Sequence, residues 1–281
     1  MLRFEGLKVD ARGKTDVGRV RRVNQDQFLI AALHKVIDIH ETSLPAQYHQ
    51  QFDSGARALL LLVADGVGGG PGGERASSLT LDAIMQYVTT SMRCFYKLDQ
   101  VASLDLMSEL AASVHSSHLA VRTAAEAEPD DSGMATTLTM AHILWPRAYV
   151  VHIGDSRCYH VRGGRLELLT RDQTLSQAMV EAGNLTAEQA EQSPYAHVLM
   201  QAVGGAHDIE PALSQVDLEI DDALLLCTDG LTKHVAHDEI GRLAHAAPDA
   251  GAACDALVAA ALDGGGTDNV TALVARFGRG D

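Results

Sequence analysis

Short apolar runs separated by polar, glycine-containing turns make up the first half of the chain and predict strands followed by helices. Residues 9–12 and 28–33 have the pattern of short strands, and the uninterrupted apolar run at 58–64 is typical of a buried strand. Residues 73–92 repeat apolar side chains at helical spacing, and residues 101–127, rich in Ala, Leu and Ser, predict a second helix. The first half therefore predicts three strands and then two helices.

The second half predicts a β-meander followed by a second pair of helices. Three β-rich segments follow one another, joined by the turn-forming residues Trp145-Pro146-Arg147 and Gly163-Gly164. The predicted elements are meander segments at 134–145, 147–156 and 157–170, strands at 209–220 and 223–227, helices at 237–247 and 250–262, and a last strand at 269–277. This succession indicates an α+β fold with antiparallel sheets, and not the alternating order of a doubly wound parallel sheet.

Two polar stretches interrupt these patterns. Residues 34–57 have weak periodicity and predict a long connection or a small insert. Residues 172–204 are polar and helical, with a helix start at Thr186 followed by Glu188. A length of 281 residues fits one large domain or two small ones.

Composition and charge exclude several classes of partner. Hydrophobic residues make up 46% of the chain and aromatic residues only 4%, which predicts a mostly aliphatic core. The net charge of −15 repels nucleic acids and anionic membranes, so neither is expected as a partner. An anionic substrate would need positive charge held locally at its binding site.

The cysteines and the N-terminal sequence bear on the compartment. The four cysteines lie in apolar stretches without CxxC spacing, which favours reduced core thiols over a disulfide framework or a zinc site. The N-terminal sequence has no apolar signal core, and no apolar run approaches the roughly 18 residues of a membrane span. We therefore expect a cytoplasmic protein.

Residues 64–74, ADGVGGGPGGE, form a glycine-rich turn between a predicted strand and a predicted helix. The spacing of Gly68, Gly70 and Gly73 matches a dinucleotide-binding turn, which would make the protein a dehydrogenase. However, the carboxylate of Asp65 would repel a pyrophosphate, and no acidic residue closes a second strand about 20 residues later. The GK[ST] sequence of a P-loop is also absent. A dehydrogenase therefore remains the weaker alternative.

Four aspartates stand at the ends of predicted strands, beside glycine, serine or asparagine. Asp65, Asp155 and Asp229 each follow an apolar run, and Asp268 directly precedes one. Carboxylates that converge in a half-buried place need cations, and an all-oxygen ligand set favours Mg²⁺ or Mn²⁺. Two such ions about 3.5–4 Å apart would hold and deprotonate a bridging water. A lone Asp-Gly after a strand is usually only a turn, so the spacing alone leaves both interpretations open.

Seven segments follow one another along nearly the whole chain, and four of them contain the aspartates described above. They are TDVGRVRRVNQDQF (15–28), ADGVGG (64–69), GMATTLTMA (133–141), IGDSRCYHVRGG (153–164), LTRDQTLSQAMVEAG (169–183), CTDGLT (227–232) and GTDNVT (266–271). Together they resemble the metal-dependent protein phosphatases, the PPM or type-2C family, in their compact bacterial form.

The resemblance implies a single domain over residues 1–281 with a four-layer αββα sandwich, two antiparallel sheets flanked by helices. It implies hydrolysis of phosphoserine and phosphothreonine on proteins, opposite a cytoplasmic kinase. It also implies two Mn²⁺ or Mg²⁺ ions per chain and a weaker third. Residues 172–204 would contain the mobile flap of the family.

The resemblance also implies roles for single residues. Asp65 would bridge two metals and Gly66 would offer its carbonyl oxygen. Asp229 and Asp268 would complete the first metal site, and Asp155 would contribute to the third.

Four more residues take supporting roles by the same resemblance. Arg21 would bind the substrate phosphate, for which a guanidinium group has suitable geometry. Asp26 would orient the metal-bound water. Gln25 and Asn269 would lie behind the metal ligands.

The chain departs from the family pattern at several positions. Gln25 stands where the family usually has Glu, and Lys233 where it commonly has an Asp that helps to hold the third metal. Lys233 would either weaken that site, replace the ion with a fixed ammonium charge, or simply extend into solvent from a short helix. In the flap, His197 is one of the residues that differ from the family pattern. These differences leave a second hypothesis, a catalytically weak relative that regulates by binding phosphoproteins or partner proteins.

Overall fold

A computed structural model describes residues 2–4, 7–37, 52–67, 71–90, 103–128 and 133–280. The strands are β1 Leu2–Phe4, β2 Leu7–Asp16, β3 Asp26–Ile37, β4 Phe52–Val67, β5 Ala135–Thr136, β6 Leu138–Leu144, β7 Arg147–Ile153, β8 Arg157–Arg162, β9 Arg165–Leu168, β10 Ala212–Asp217, β11 Ala223–Cys227 and β12 Val270–Arg279. The helices are α1 Pro71–Thr90, α2 Ser103–Ala127, α3 Leu175–Glu181, α4 Ala187–Glu191, α5 Asp229–Thr232, α6 His237–Ala246 and α7 Ala250–Asp263.

The strands form two antiparallel sheets. The first sheet has the order β1-β2-β12-β11-β8-β9, and the second has the order β10-β7-β6-β4-β3, with β5 pairing to β4. Helices α1 and α2 pack on the second sheet, and α6 and α7 pack on the first. The α+β fold and the αββα sandwich predicted from the sequence are both confirmed.

Strand β4 shows how the layered architecture determines which residues of a strand are apolar. Successive side chains of a strand point to opposite faces, so alternate residues enter different layers. Leu59 and Leu61 pack into the core between the sheets, whereas Leu60 and Leu62 pack against the helices α1 and α2. Because both faces of β4 are covered over residues 58–64, this stretch has no polar alternation and is apolar throughout.

The predicted elements are close to the observed ones, with differences at two connections. Strand β3 continues through Ile37 and β4 begins at Phe52, so both ends of the stretch predicted as a connection at 34–57 are strand. Residues 38–51 lie outside the described residues. In the flap segment, α4 begins after Thr186 as predicted, and Gln189 rather than Glu188 completes its capping box.

Helix α5 is the short helix that one alternative for Lys233 allowed, but the periodicity does not predict it, because a single turn carries no apolar period. No helix in the described part of the chain combines the length and apolar character needed to cross a membrane.

Candidate metal centre

Acidic residues from both sheets meet at one edge of the sandwich. Asp26 opens β3 and lies directly opposite Asp65 of β4 in the antiparallel register. Asp229 follows β11 as the first residue of α5, and Asp268 stands two residues before β12. Asp155 lies in the turn between β7 and β8. Distant segments therefore bring together the four aspartates of the strand-end pattern, and Asp26 joins them.

The backbone of Asp65 is fixed by the two threonines that precede β6. The Asp65 N–H donates to Thr137 Oγ1 at 3.0 Å, and the Thr137 N–H donates back to the Asp65 carbonyl oxygen at 2.9 Å. The hydroxyl of Thr136 donates to the same carbonyl oxygen at 2.8 Å. The two threonines belong to the segment at 133–141, one of the seven segments of the sequence analysis. Its part in the motif pattern is therefore to anchor the end of β4.

The glycine-rich turn allows two backbone segments to approach closely. The N–H of Gly66 donates to the Gln25 carbonyl oxygen at 3.2 Å, and a Cβ on Gly66 would collide with the carbonyl group of Gly73. The side-chain amide of Gln25 lies against Gly73. The glycines here serve close packing between β4 and α1. Residues 68–70 of the turn, including Gly70, lie outside the described residues.

Asp26 is held deep in the centre, with 2% of its surface exposed. Its Oδ2 accepts hydrogen bonds from the hydroxyls of Thr228 at 2.8 Å and Thr271 at 2.7 Å. Its Oδ1 is buried and has no hydrogen-bond partner among the described residues. Burial raises the pKa of Asp26 to about 7, and the charges of Asp229 and Asp268 act in the same direction.

The neighbouring carboxyl groups are also disfavoured as anions. Burial raises the pKa of Asp65 well above its ordinary value, and the charges of Asp26 and Asp229 raise it further. Burial, with the charge of Asp229, raises the pKa of Asp155 to about 8. Carboxyl groups in this condition ionise readily only when a cation lies among them.

The residues present fit a hard divalent ion. Asp229 Oδ1, like Asp26 Oδ1, is buried and has no hydrogen-bond partner among the described residues. Asp155 is 6% exposed and makes no hydrogen bond or ion pair with any residue in the described ranges. Acceptor-only oxygens left without donors, in an all-carboxylate cluster, are the ligand set that Mg²⁺ and Mn²⁺ prefer.

Two side-chain cations enter the same centre. The guanidinium of Arg21 binds Asp268 through Nε to Oδ1 at 2.7 Å and Nη2 to Oδ2 at 3.0 Å. The ammonium of Lys233 lies 2.6 Å from Asp229 Oδ2 and 2.8 Å from Asp268 Oδ2. Burial by itself would raise the pKa of Asp268, but the hydrogen bonds and charges of these two cations outweigh it and lower the pKa. Lys233 therefore extends into the centre and not into solvent.

Asn269 ties the loop that carries Arg21 to the centre. Its Oδ1 accepts from the Gln25 N–H at 2.9 Å, and its Nδ2 donates to the carbonyl oxygens of Val17 at 2.9 Å and Val23 at 3.0 Å. The side chain thus spans both ends of the loop between β2 and β3. The role behind metal ligands that the resemblance implies for Asn269 stays a prediction.

A cavity of about 560 Å³ opens beside Asp155, between the flap segment and the first sheet. His197 of the flap lines it, and its Nδ1 lies 3.7 Å from Asp229 Oδ2. Asp155, His197 and Asp229 each bring one ligand atom within 4.8 Å of the others. The sequence marked His197 only as a departure in the flap, because nothing in the local pattern shows that the flap folds back onto Asp229.

One ion pair at the cavity was also missed. Arg157 binds Asp172 through Nε to Oδ1 at 2.9 Å and Nη2 to Oδ2 at 2.6 Å. The pair joins the start of β8 to the start of the flap segment. Both residues lie inside quoted motifs, but the pairing depends on a turn whose geometry the sequence does not give.

Comparison with known proteins decides the family. The sequence pattern of the family described as protein phosphatase 2C matches residues 42–265 of the chain. The chain belongs to the protein phosphatase 2C family. The resemblance found in the seven segments is thereby confirmed.

Relatives in this family are bacterial serine/threonine phosphatases. The chain is 39% identical over 220 residues to the serine/threonine protein phosphatase PstP of Mycobacterium tuberculosis, which is 78% of this chain but only 40% of the length of PstP. It is 29% identical over 270 residues to the protein phosphatase PhpP of Streptococcus pneumoniae, covering 95% of this chain and 97% of PhpP.

A solved structure of the protein phosphatase 2C family has the same architecture. The catalytic domain of PstP, crystallised in complex with two manganese ions, superimposes with a TM-score of 0.74 at 33% identity, covering 97% of this chain and 99% of that chain. The fold match therefore extends over both sheets and the helices outside them.

Proposed function

We propose that this chain is a Mn²⁺- or Mg²⁺-dependent phosphatase that hydrolyses phosphoserine and phosphothreonine on proteins. One observation carries the proposal. Carboxyl groups from separate segments, among them Asp65, Asp155 and Asp229, share one buried edge and repel one another. Such a cluster has little use in a protein that only binds partners, whereas it is the expected form of a divalent metal centre. Family membership supports the same activity.

The proposal gives each carboxylate the role that the family resemblance implies. Asp65 lies between the other carboxyl groups and is proposed to bridge two metals, with the Gly66 carbonyl beside it. Asp229 and Asp268 would complete the first metal. Asp155, buried and without a hydrogen-bond partner among the described residues, would serve a third and weaker ion together with Asp229. When bound, the ions supply the positive charge that lowers the pKa of a water and offsets the charge of the phosphoryl oxygens.

The remaining groups would bind the substrate phosphate and orient a water. Arg21 has the planar donor set that matches two phosphate oxygens, and it lies at the open side of the centre with 46% of its side chain exposed. Asp26 has one oxygen held by Thr228 and Thr271 and the other free to accept a hydrogen bond from a water. Arg21 would thus hold the phosphate, and Asp26 would orient a water.

The substrates proposed are phosphoproteins produced by a kinase in the cytoplasm. The relatives are named serine/threonine phosphatases, which supports this substrate class. Cys158, Cys227 and Cys254 are buried free thiols, as expected in a reducing compartment. The net charge of −15 disfavours nucleic acids and anionic lipids as partners.

The test is hydrolysis of p-nitrophenyl phosphate and of a phosphothreonine peptide, with Mn²⁺, with Mg²⁺ and with EDTA. We expect turnover of both substrates with either ion and none with EDTA. Turnover that persists in EDTA would contradict the metal assignment. Turnover of neither substrate under any condition would contradict the proposed activity.

The catalytically weak regulator remains a second candidate because of two residues in the centre. Gln25 supplies a neutral amide where the family usually has a carboxylate, and Lys233 places an ammonium group on Asp229 and Asp268. A regulator would bind the phosphothreonine peptide in the presence of Mn²⁺ without hydrolysing it. Binding measured by fluorescence anisotropy, set beside the turnover assay, separates the two candidates.

A further inference from the structure

Lys233 occupies a position between two of the proposed metal ligands. Its Nζ contacts Oδ2 of both Asp229 and Asp268, and only 18% of its side chain is exposed. Local structure fixes this position. Lys233 ends α5, and its N–H donates to the Asp229 carbonyl oxygen at 2.8 Å, so the two side chains stand on one face at i and i+4.

The packing of α5 brings this face against Asp268. A Cβ on Gly230 would collide with the carbonyl group of Asn269, so the helix touches the start of β12 directly. The close approach of α5 to β12 therefore places Lys233 beside Asp268 as well as Asp229, within reach of both carboxylates.

We propose that Lys233 is an internal competitor for the divalent ion that Asp229 and Asp268 bind, and so sets the metal affinity of the site. This inference rests on the proposed function only in assigning these two aspartates to a metal. An ammonium group 2.6 Å from Asp229 Oδ2 uses the lone pairs and the space that a metal ion on the same oxygen would need. Two cations at such a separation also repel each other.

Metal binding therefore requires the lysine to leave the two carboxylates. The four-carbon stem of lysine is flexible, and Lys233 lines the adjoining cavity of about 560 Å³, which gives the displaced ammonium group room. Arg21 also binds Asp268, but it contacts one of the two ligands only and is more exposed. Lys233 is the described cation that joins both, so its removal should have the larger effect on metal affinity.

The competition predicts two effects of opposite sign for Lys233→Met, which keeps most of the side-chain volume and removes the charge. In EDTA the variant should unfold at a lower temperature than the wild type, because Asp229 and Asp268 lose their counter-ion. In isothermal titration with Mn²⁺ alone, its dissociation constant should be at least tenfold lower. A merely structural defect would weaken both properties together.

Two further variants make the test specific. Lys14→Met removes another lysine from an ion pair, that with Asp255, which is exposed and lies away from the centre, and it should leave the Mn²⁺ dissociation constant unchanged. Lys233→Gln replaces Lys233→Met if the latter fails to fold, and it should also bind Mn²⁺ more tightly.

The outcomes separate this inference from the proposed function. Mn²⁺ affinity that is unchanged or weakened in Lys233→Met and Lys233→Gln overturns the competition, whether or not the protein hydrolyses phosphoesters. Tighter Mn²⁺ binding in these variants supports it even if no phosphatase activity is found. Absence of Mn²⁺ binding in the wild type and in both variants overturns it as well.

Discussion

Asp65 carries a buried carboxyl group whose ionisation the surrounding carboxylates oppose. Replacing it with the neutral, similarly shaped asparagine in Asp65→Asn should abolish hydrolysis of p-nitrophenyl phosphate, because the proposed bridging ligand is lost. The fold should not suffer, since a source of repulsion is removed. Turnover with Mn²⁺ and thermal unfolding in EDTA measure the two effects. Asp217→Asn, at an exposed ion pair, is the control, and turnover by Asp65→Asn at the wild-type rate would exclude Asp65 from the metal site.

Asp229 differs from Asp65 because its charge has a partner. Asp229→Asn should abolish turnover in the same assay, but it also removes the anion that binds the Lys233 ammonium group at 2.6 Å. We therefore expect it to lower the unfolding temperature in EDTA, whereas Asp65→Asn does not. If the two variants have equal stability, the ion pair with Lys233 contributes nothing to the fold.

Arg21 is expected to act on substrate binding more than on the chemical step. The guanidinium group is at the open side of the centre, so Arg21→Ala should raise KM for p-nitrophenyl phosphate more than it lowers kcat. Steady-state kinetics at saturating Mn²⁺ measure both constants. Arg22→Ala, at the exposed neighbouring residue, should leave KM unchanged. An unaltered KM in Arg21→Ala would remove Arg21 from the phosphate site.

Some of these side chains could be located from the sequence and others could not. Asp65, Asp155 and Asp229 were found because each ends an apolar run, and the ends of packed strands meet in space. The orientation of Lys233 and the approach of His197 were not determined, because both depend on how α5 and the flap pack against distant segments. Sequence patterns give the periodicity of an element, but not the contacts that a short or irregular one makes.

At the scale of elements, Asn269 holds the loop between β2 and β3 in place by three hydrogen bonds. Asn269→Ala removes the hydrogen-bond partner of the buried Gln25 N–H and of the partly buried carbonyl oxygens of Val17 and Val23. The free energy of unfolding should fall by about 1–3 kcal/mol, the cost of one buried group left unsatisfied, since water can reach the two carbonyl oxygens. Urea unfolding measures the change.

The same substitution should loosen the loop that carries Arg21. Amide hydrogen exchange over residues 17–25 should become faster, while exchange in β11 should stay slow apart from the global loss of stability. Asn184→Ala, at an exposed position in the flap segment, serves as the control. Loop exchange that stays at the wild-type rate would mean that Asn269 does not restrain the loop.

The elements themselves were predictable where packing leaves a regular pattern. Strand β4 was found because both of its faces are covered, and the long helices because one face of each is apolar. The outer parts of β3 and β4 were taken for a connection, since residues 34–57 are polar and lack the alternation of a half-buried strand. Pairing between the two strands, and not their composition, makes these ends extended.

At the scale of the whole molecule, two sheets are packed between two pairs of helices, and an apolar layer fills each of the three interfaces. Two histidines are buried within the second sheet. His142 of β6 and His152 of β7 are 1% exposed. Burial lowers the pKa of each to about 4, from an ordinary value near 6.5. His142 Nδ1 and His152 Nε2 have no hydrogen-bond partner among the described residues.

These histidines predict a loss of stability in acid. Their pKa is lower in the folded state, so the unfolded state takes up protons first as the pH falls below about 6.5. Stability is complete above that pH and declines towards pH 4, by about 2 kcal/mol per histidine at pH 5. Urea unfolding of His142→Asn in EDTA, at pH 7.5 and pH 5, should show a smaller loss of unfolding free energy between the two pH values than the wild type does.

The comparison with the wild type cancels the opposite effect of the raised aspartate pKa values, which both proteins share. His245→Asn, on the exposed surface, should keep the wild-type difference, and an identical difference in His142→Asn would show that the buried ring is already protonated or solvated in the fold.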